Sequence, residues 1–154
     1  MKALTLWRPY PWAIFDLPEG QAKRIENRCW RPPKSIIGVP LALHAGRTFD
    51  HEGAAQIVRK LGRDVPPRHE YPEGIVGVVT VVDYLDVDDL WSAQRLRELP
   101  GQQRWFSGPF GWVLADVRRL RESIQCRGAQ GLWTVPEKLE RSILQQLATR
   151  RERR

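Results

Sequence analysis

The chain has 154 residues, with 25 Lys or Arg against 18 Asp or Glu and a formal net charge of +7. Its length suffices for one hydrophobic core, its two cysteines exclude a disulfide-rich scaffold, and no apolar run approaches the roughly 20 residues that cross a bilayer. The start of the chain has no secretory signal pattern, so we predict a cytoplasmic protein without a membrane partner. The basic charge favours a polyanionic partner, nucleic acid first, although a general bias toward arginine would explain the composition equally well.

Prolines and glycines divide the first half of the chain into short strands and helices. Pro9 ends the first strand and Pro32 ends the second, while Thr48 and Gly62 are placed to cap the ends of a helix. The predicted elements are a strand over Ala3–Trp7, a helical turn at Trp12–Phe15, strands over Arg24–Trp30 and Val39–Ala45, and a helix over Asp50–Leu61.

The second half alternates strands and helices without βαβ regularity. A long strand rich in β-branched residues is predicted at Gly74–Leu85, a helix capped by Asp88 at Asp89–Leu99, strands at Gly111–Val117 and Ser123–Cys126, and a C-terminal helix opened by a capping box from Thr134 to Glu137. This order predicts an α+β fold built on a small, mostly antiparallel β-barrel with flanking helices. We predict one domain over residues 1–149 and an arginine-rich tail over residues 150–154.

Charged side chains crowd the segment KRIENRCW at residues 23–30. Residues two apart on a strand share a face, so Glu26 and Arg28 could present an acceptor and a fork of donors together, and Lys23 could join them. The functional interpretation is a site that holds a phosphate or carbonyl and reads a base edge. The alternative is a surface ion pair worth about 0 to 1 kcal/mol.

Other residue patterns give little support to a metal or nucleophile site. His44, His51 and His69 lack a second ligand at zinc spacing, and Ser107 lies outside any nucleophile-elbow pattern. We therefore predict no resident metal and no tightly bound cofactor, and we expect Cys29 and Cys126 to be packing residues. One or two of the seven tryptophans could stack on bases beside arginine.

Six segments together resemble the ASCH (activating-signal-cointegrator homology) family, which has a PUA-like barrel with a cleft beside it. They are LTLWRPYPWAI, KRIENRCW, VPLALHAG, GIVGVVTVVDYLD, GPFGWVLADVRRL and CRGAQGLWTV. The KxxExR part of the family pattern GxKxxExR falls on Lys23, Glu26 and Arg28. The family glycine is replaced by Gln21, and Arg8 stands where a glutamine is common.

The resemblance implies a nucleic-acid-binding protein whose partner is RNA, single-stranded in preference, or single-stranded DNA. Phosphates would contact Arg8, Lys23, Arg28 and Arg127, bases would stack on Trp30, and Glu26 or Gln130 would read a base edge. Cleavage of the strand would use Lys23 to stabilise phosphate charge, and Glu26 as a base or as a ligand for Mn²⁺ or Mg²⁺.

Two other functions stay open. The first is a small amidohydrolase acting on a modified nucleoside such as N4-acetylcytidine, since one branch of the family uses the motif lysine catalytically. That branch has a threonine at the position of Glu26, so the hydroxyl is absent here. The second is a protein-interaction surface, with the basic charge serving solubility. The sequence does not determine the oligomeric state.

Overall fold

The fold is a curled six-stranded sheet that forms half of a barrel, with helices packed around it. A computed structural model describes residues 1–151, and the side chains of residues 1–149. The strands are β1 (Lys2–Arg8), β2 (Ile25–Arg28), β3 (Pro40–Phe49), β4 (Gly74–Asp86), β5 (Phe110–Ile124) and β6 (Leu132–Thr134). Their order in the sheet is β2-β5-β4-β3-β1-β6.

Most strand pairs of the sheet are antiparallel. Within residues 1–151, β1 and β3 are parallel, whereas the pairs β1–β6, β2–β5, β3–β4 and β4–β5 are antiparallel. The parallel pair is possible because α1 and β2 intervene between β1 and β3 in the chain, a connection long enough to return to the same end. The predicted α+β class with a mostly antiparallel PUA-like barrel is confirmed.

Two of the predicted helix caps are shifted. The helices are α1 (Tyr10–Phe15), α2 (His51–Leu61), α3 (Leu90–Arg97) and α4 (Glu137–Arg151). The N-cap of α2 is Asp50, which accepts a hydrogen bond from the Gly53 amide at 2.8 Å, because Thr48 belongs to the extended end of β3. The N-cap of α3 is Asp89 rather than Asp88.

The end of the sheet differs from the prediction at the predicted capping box. Residues Leu132–Thr134 form β6, which pairs with β1, and the Thr134 hydroxyl accepts a hydrogen bond from Lys2 Nζ at 2.8 Å. The prediction of a helix cap at Thr134 was therefore wrong, because Thr134 pairs with Lys2 in the sheet and α4 begins only at Glu137.

The two strands predicted around residues 111–126 are one long strand, β5. The first two positions of the predicted tail continue α4, and residues 152–154 lie outside the described part of the chain.

The sheet packs on apolar residues that also hold the charged segment in place. Ile25 is fully buried among side chains of α1, β5 and the segment around Trp105, as the strand alternation predicted. Cys29, expected to pack beside Ile25, is exposed because β2 ends at Arg28 and the chain turns there. Trp112 of β5 is fully buried in the main core cluster and fixes the strand beside β2.

Candidate functional site

A cleft of about 1290 Å³ is lined by β1, β2, β3 and the segment 125–131. The strands contribute outward-facing side chains, and the segment 125–131, which follows β5 without regular structure, lies across from them. Of the predicted site residues the structure brings Glu26, Arg28 and Trp30 together with Arg127 and Gln130 in this cleft. Lys23 and Arg8 are not among its lining residues.

Glu26 is the buried acceptor of the cleft and links two cations. Its Oε2 accepts a hydrogen bond from Lys23 Nζ, and its Oε1 lies 3.7 Å from Arg28 Nη1. Glu26 is only 8% exposed, which an unpaired carboxylate would not tolerate. The surface-ion-pair interpretation is therefore excluded for Lys23 and Glu26, because both groups are taken out of water.

Lys23, which the resemblance placed in contact with phosphates, lies behind the cleft. The residue is 2% exposed, its ammonium lies 5.6 Å from the centre of the Tyr10 ring, and its backbone amide donates to the Ala13 carbonyl at 2.8 Å. The chain between α1 and β2 thus turns Lys23 inward, and Glu26 separates its ammonium from the cleft. This arrangement therefore gives Lys23 no direct contact with a nucleic-acid strand bound in the cleft.

Arg8 is a structural arginine in this fold. Its guanidinium is buried and donates to the carbonyls of Gly46 at 2.9 Å, Arg47 at 2.6 Å and Tyr71 at 3.3 Å. These bonds tie the end of β1 to the end of β3 and to the turn before β4. Because its donors face backbone oxygens and the Glu73 carboxylate, whose Oε1 lies 3.6 Å from Arg8 Nη2, Arg8 holds the cleft wall from behind instead of presenting a cation to a ligand.

The segment 125–131 brings Arg127 and Gln130 to the cleft, and both are exposed. It can lie close against β1 and β3 because residue 128 is glycine: a Cβ there would stand 2.5 Å from Thr5 Oγ1 and 2.6 Å from His44 Nδ1. His44 Nε2 lies 2.9 Å from the Cys126 carbonyl oxygen and donates to it, which holds the start of the segment on the cleft floor. The segment is thus held at Cys126 and Gly128, continues directly into β6, and presents the exposed Arg127 and Gln130.

Two tryptophans face the cleft with different freedom. Trp30 packs edge-on against Trp112 at 4.7 Å between ring centres and lies 5.8 Å from the Arg28 guanidinium, so its ring is fixed and partly covered. Trp7 is 57% exposed and points outward from β1. Trp7 therefore offers the larger free ring surface for stacking.

The cleft residues that sequence reasoning missed include Trp7, Arg47 and Glu73. The Arg47 side chain is 94% exposed, and its Nε lies 3.5 Å from Glu73 Oε2. A signal was present for Trp7, because Thr5 and Trp7 alternate with the apolar Leu4 and Leu6 and so share the outward face of β1. Arg47 carried no such signal, because β3 was predicted to end before it.

A smaller cavity of about 220 Å³, here called the side pocket, lies on the other side of Glu26. Lys23, Lys60, Gln56, Trp105 and Ser107 contribute to its lining, and Glu26 and Tyr10 line both cavities. Burial and the nearby Asp50 carboxylate, which accepts a hydrogen bond from the Tyr10 hydroxyl at 3.1 Å, raise the pKa of Tyr10 far above its usual value. Tyr10 therefore stays neutral at physiological pH and acts as a donor fixed on Asp50.

Among residues 1–151, no three His, Cys, Asp or Glu side chains converge as a metal site would require. None of the described helices has the length and apolar character needed to cross a bilayer.

Solved structures provide the comparison that identifies the fold. Two crystal structures of ZmASCH from Zymomonas mobilis, a tyrosine-to-phenylalanine and a serine-to-alanine variant, superpose with TM-scores of 0.51 and 0.52 at 13% and 11% sequence identity. The alignments cover 94% of this chain in both cases, and 96% and 94% of the two ZmASCH chains. The chain has an ASCH-like fold. No family model and no curated protein matches the sequence.

Proposed function

We propose that this protein is a member of the ASCH family that binds single-stranded nucleic acid, RNA in preference to DNA, along the cleft. The observation that supports this best is the convergence of Arg28, Arg47 and Arg127 with the exposed Trp7 in one large cleft. Cations that meet phosphates and an aromatic ring that stacks on bases are the two components of single-strand binding.

The phosphate contacts come from arginines on three different elements. Arg28 lies on β2, Arg47 on β3 and Arg127 in the segment 125–131, so the cations are spread along the cleft instead of clustered at one point. Glu26 and Glu73 face the same cleft, where each lies within 4 Å of an arginine. A strand would contact the guanidinium edges that these carboxylates leave free, because each guanidinium carries five donors.

The base contacts favour an unpaired strand. A ring such as Trp7 can stack only on a base that is not already stacked within a duplex, and the exposed Gln130 amide offers a donor and an acceptor to a base edge. We expect tighter binding of RNA than of DNA because the sequence segments resemble a family that includes RNA-binding modules. A ribose 2′-hydroxyl would find acceptors in Glu26 and Glu73 at the cleft wall.

Cleavage of the bound strand is a separate step that binding does not require. Glu26 faces the cleft and could act as a base, whereas Lys23, expected to stabilise phosphate charge, lies behind it. The cleft carboxylates that could bind a divalent ion such as Mn²⁺ or Mg²⁺ are Glu26 and Glu73. Each of them is already paired with a cationic side chain, which the ion would have to displace. Incubation of labelled RNA with and without each ion, followed by gel analysis, decides whether the strand is cut.

The deciding experiment measures the binding of labelled single-stranded RNA, single-stranded DNA and duplexes over a salt series. We expect single strands to bind more tightly than duplexes and affinity to fall linearly on a log–log plot as salt rises. Arg127→Gln should lower the salt slope by about 0.7, the value for one phosphate contact on a single strand. Arg97→Gln, which removes an exposed arginine of α3 outside the cleft, is the matched control. Affinity that does not depend on salt would refute the proposal.

Hydrolysis of a modified nucleoside such as N4-acetylcytidine is the second candidate. The observation in its favour is the buried contact between Lys23 and Glu26, a lysine beside a group that could accept its proton. The side pocket, rather than the open cleft, would then hold the nucleoside. Chromatography of N4-acetylcytidine incubated with the protein tests this, with release of cytidine in wild type and none in Lys23→Met as the supporting result.

A further inference from the structure

The side pocket gathers positive charge that the fold does not fully compensate. Lys23 and Lys60 both line it, and Glu26 is the carboxylate among its lining residues. Glu26 is shared, because its other oxygen faces Arg28 in the cleft. The nearby Asp50 carboxylate is occupied by the Tyr10 hydroxyl and by the Gly53 amide.

The two ammonium groups of the side pocket, Lys23 Nζ and Lys60 Nζ, have N–H donors that are not used by protein acceptors. Lys23 Nζ has three protons, of which Glu26 takes one, and the side chain is almost entirely out of water. Lys60 Nζ lies 5.8 Å from the centre of the Trp105 ring and forms no ion pair with any side chain in residues 1–149. Desolvation, and then the proximity of Lys23, lower the pKa of Lys60, as expected for a cation that lacks a counterion.

Neutral donors complete the pocket. The Ser107 hydroxyl and the Gln56 amide line it, and neither side chain has a protein hydrogen-bond partner in the described part of the chain. The Asn27 side chain holds the chain around Ser107 in position, since its Oδ1 accepts from the Ser107 and Gly108 amides at 3.0 and 3.2 Å. Two ammoniums, a hydroxyl and an amide around about 220 Å³ suit a compact anion with several acceptor oxygens.

We propose that the side pocket is a phosphate site, in which Lys23 and Lys60 bind the phosphate and Ser107 and Gln56 donate to its remaining oxygens. A phosphate is favoured over a carboxylate because its oxygens point in tetrahedral directions, and the donors come from three separate parts of the chain: the segment before β2, α2 and the segment around Ser107. The phosphate could be free, or it could be the terminal group of a nucleotide or strand. The site stands whether or not the cleft binds nucleic acid.

The test uses the full-length protein and isothermal titration with inorganic phosphate, with sulfate as a second tetrahedral anion. We expect saturable binding with one site per chain and a weakening of roughly tenfold in Lys60→Gln, the loss of one charged hydrogen bond. Arg59→Gln is the matched control: it removes the same charge from the last turn of α2 at an exposed position outside the pocket. Circular dichroism establishes that both variants are folded, as expected for exposed helical positions.

Two results would overturn the proposal: no saturable binding of phosphate at millimolar concentration, or equal weakening in Lys60→Gln and Arg59→Gln, which would indicate general surface charge. The source of the phosphate follows from competition. Displacement of bound phosphate by a 5′-phosphorylated oligonucleotide, but not by the same strand without its phosphate, supports a strand end as the ligand. Binding of phosphate that neither strand displaces supports a small phosphorylated ligand. Failure of RNA to bind the cleft would leave these results unchanged, so the two proposals fail separately.

Discussion

The cleft and the side pocket share the Glu26 carboxylate but present their cations in opposite ways. In the cleft, Arg47 and Arg127 stand in solvent, where a planar guanidinium can follow a flexible strand. In the side pocket, Lys23 is buried, and an ammonium there acts as a fixed point charge. The charges of the segment 23–28 are thus divided between two cavities: a large cleft suited to a polymer and a smaller pocket suited to a single anion.

The largest effect should come from the residue that separates the cavities. Glu26→Gln leaves the Lys23 ammonium buried without its counterion, and we expect a loss of about 3 kcal/mol in the free energy of unfolding. Urea denaturation measures it. The control Glu137→Gln removes the exposed partner of Arg141 on α4 and should cost less than about 0.5 kcal/mol. Equal costs in the two variants would mean that Glu26 is only a surface partner.

The second effect distinguishes an arginine that supports the cleft from one that faces it. Arg8→Gln removes the donors to the carbonyls of Gly46, Arg47 and Tyr71, and we expect a loss of about 2 kcal/mol in stability. Affinity for single-stranded RNA, measured by fluorescence anisotropy well below the melting temperature, should stay within about twofold of wild type. A stable Arg8→Gln protein with strongly weakened RNA binding would place Arg8 in contact with the ligand.

The contrast between Arg8 and Arg28 shows how far the sequence could go. Leu4, Leu6 and Arg8 share one face of β1 by strict alternation, so the inward direction of Arg8 was available from the pattern. The same rule placed Glu26 and Arg28 together on β2 correctly, because a short strand beside a buried neighbour keeps its alternation. Strand and helix identity were largely predictable for this reason, whereas the strand ends depended on pairing partners far along the chain.

The burial of Lys23 could not be predicted from its neighbours in the sequence. It depends on α2, which follows β3 and brings Ile57 and Lys60 to the side pocket, and on the segment around Trp105, more than 80 residues after Lys23. Strand alternation and helix capping concern neighbours in the sequence, so they cannot predict these contacts, which form when the curled sheet brings distant segments together. The cleft was predicted through the motif, but the side pocket was not predicted at all.

A third effect tests the stacking half of the cleft. Trp7→Ala should weaken single-stranded RNA binding by roughly tenfold, since stacking on one base is worth about 1 to 3 kcal/mol. The salt slope should stay unchanged because no phosphate contact is lost. Trp91→Ala is the control, since Trp91 is 67% exposed on α3 and lies outside both cavities. An equal loss in the two variants would exclude Trp7 as a specific platform.

The smallest effect concerns the side pocket and its response to pH. Sulfate keeps its charge between pH 7 and 10, so any change in its affinity reports on the protein. Lys60 must be protonated to bind it, and its pKa lies below the ordinary value of 10.5. Affinity should therefore be highest at the lower pH and should have fallen by roughly twofold when the pH reaches the pKa of Lys60, where half of the chains have lost this charge. Tyr10 stays neutral over this range because its pKa is raised, while Lys23 and Glu26 face the same pocket and are present in wild type and variant alike.

Titration calorimetry with sulfate at several pH values, on wild type and Lys60→Gln, separates the contribution of Lys60 to the pH dependence from that of the other groups. A decline of the same size in Lys60→Gln would assign the pH dependence to another group and remove Lys60 from the site.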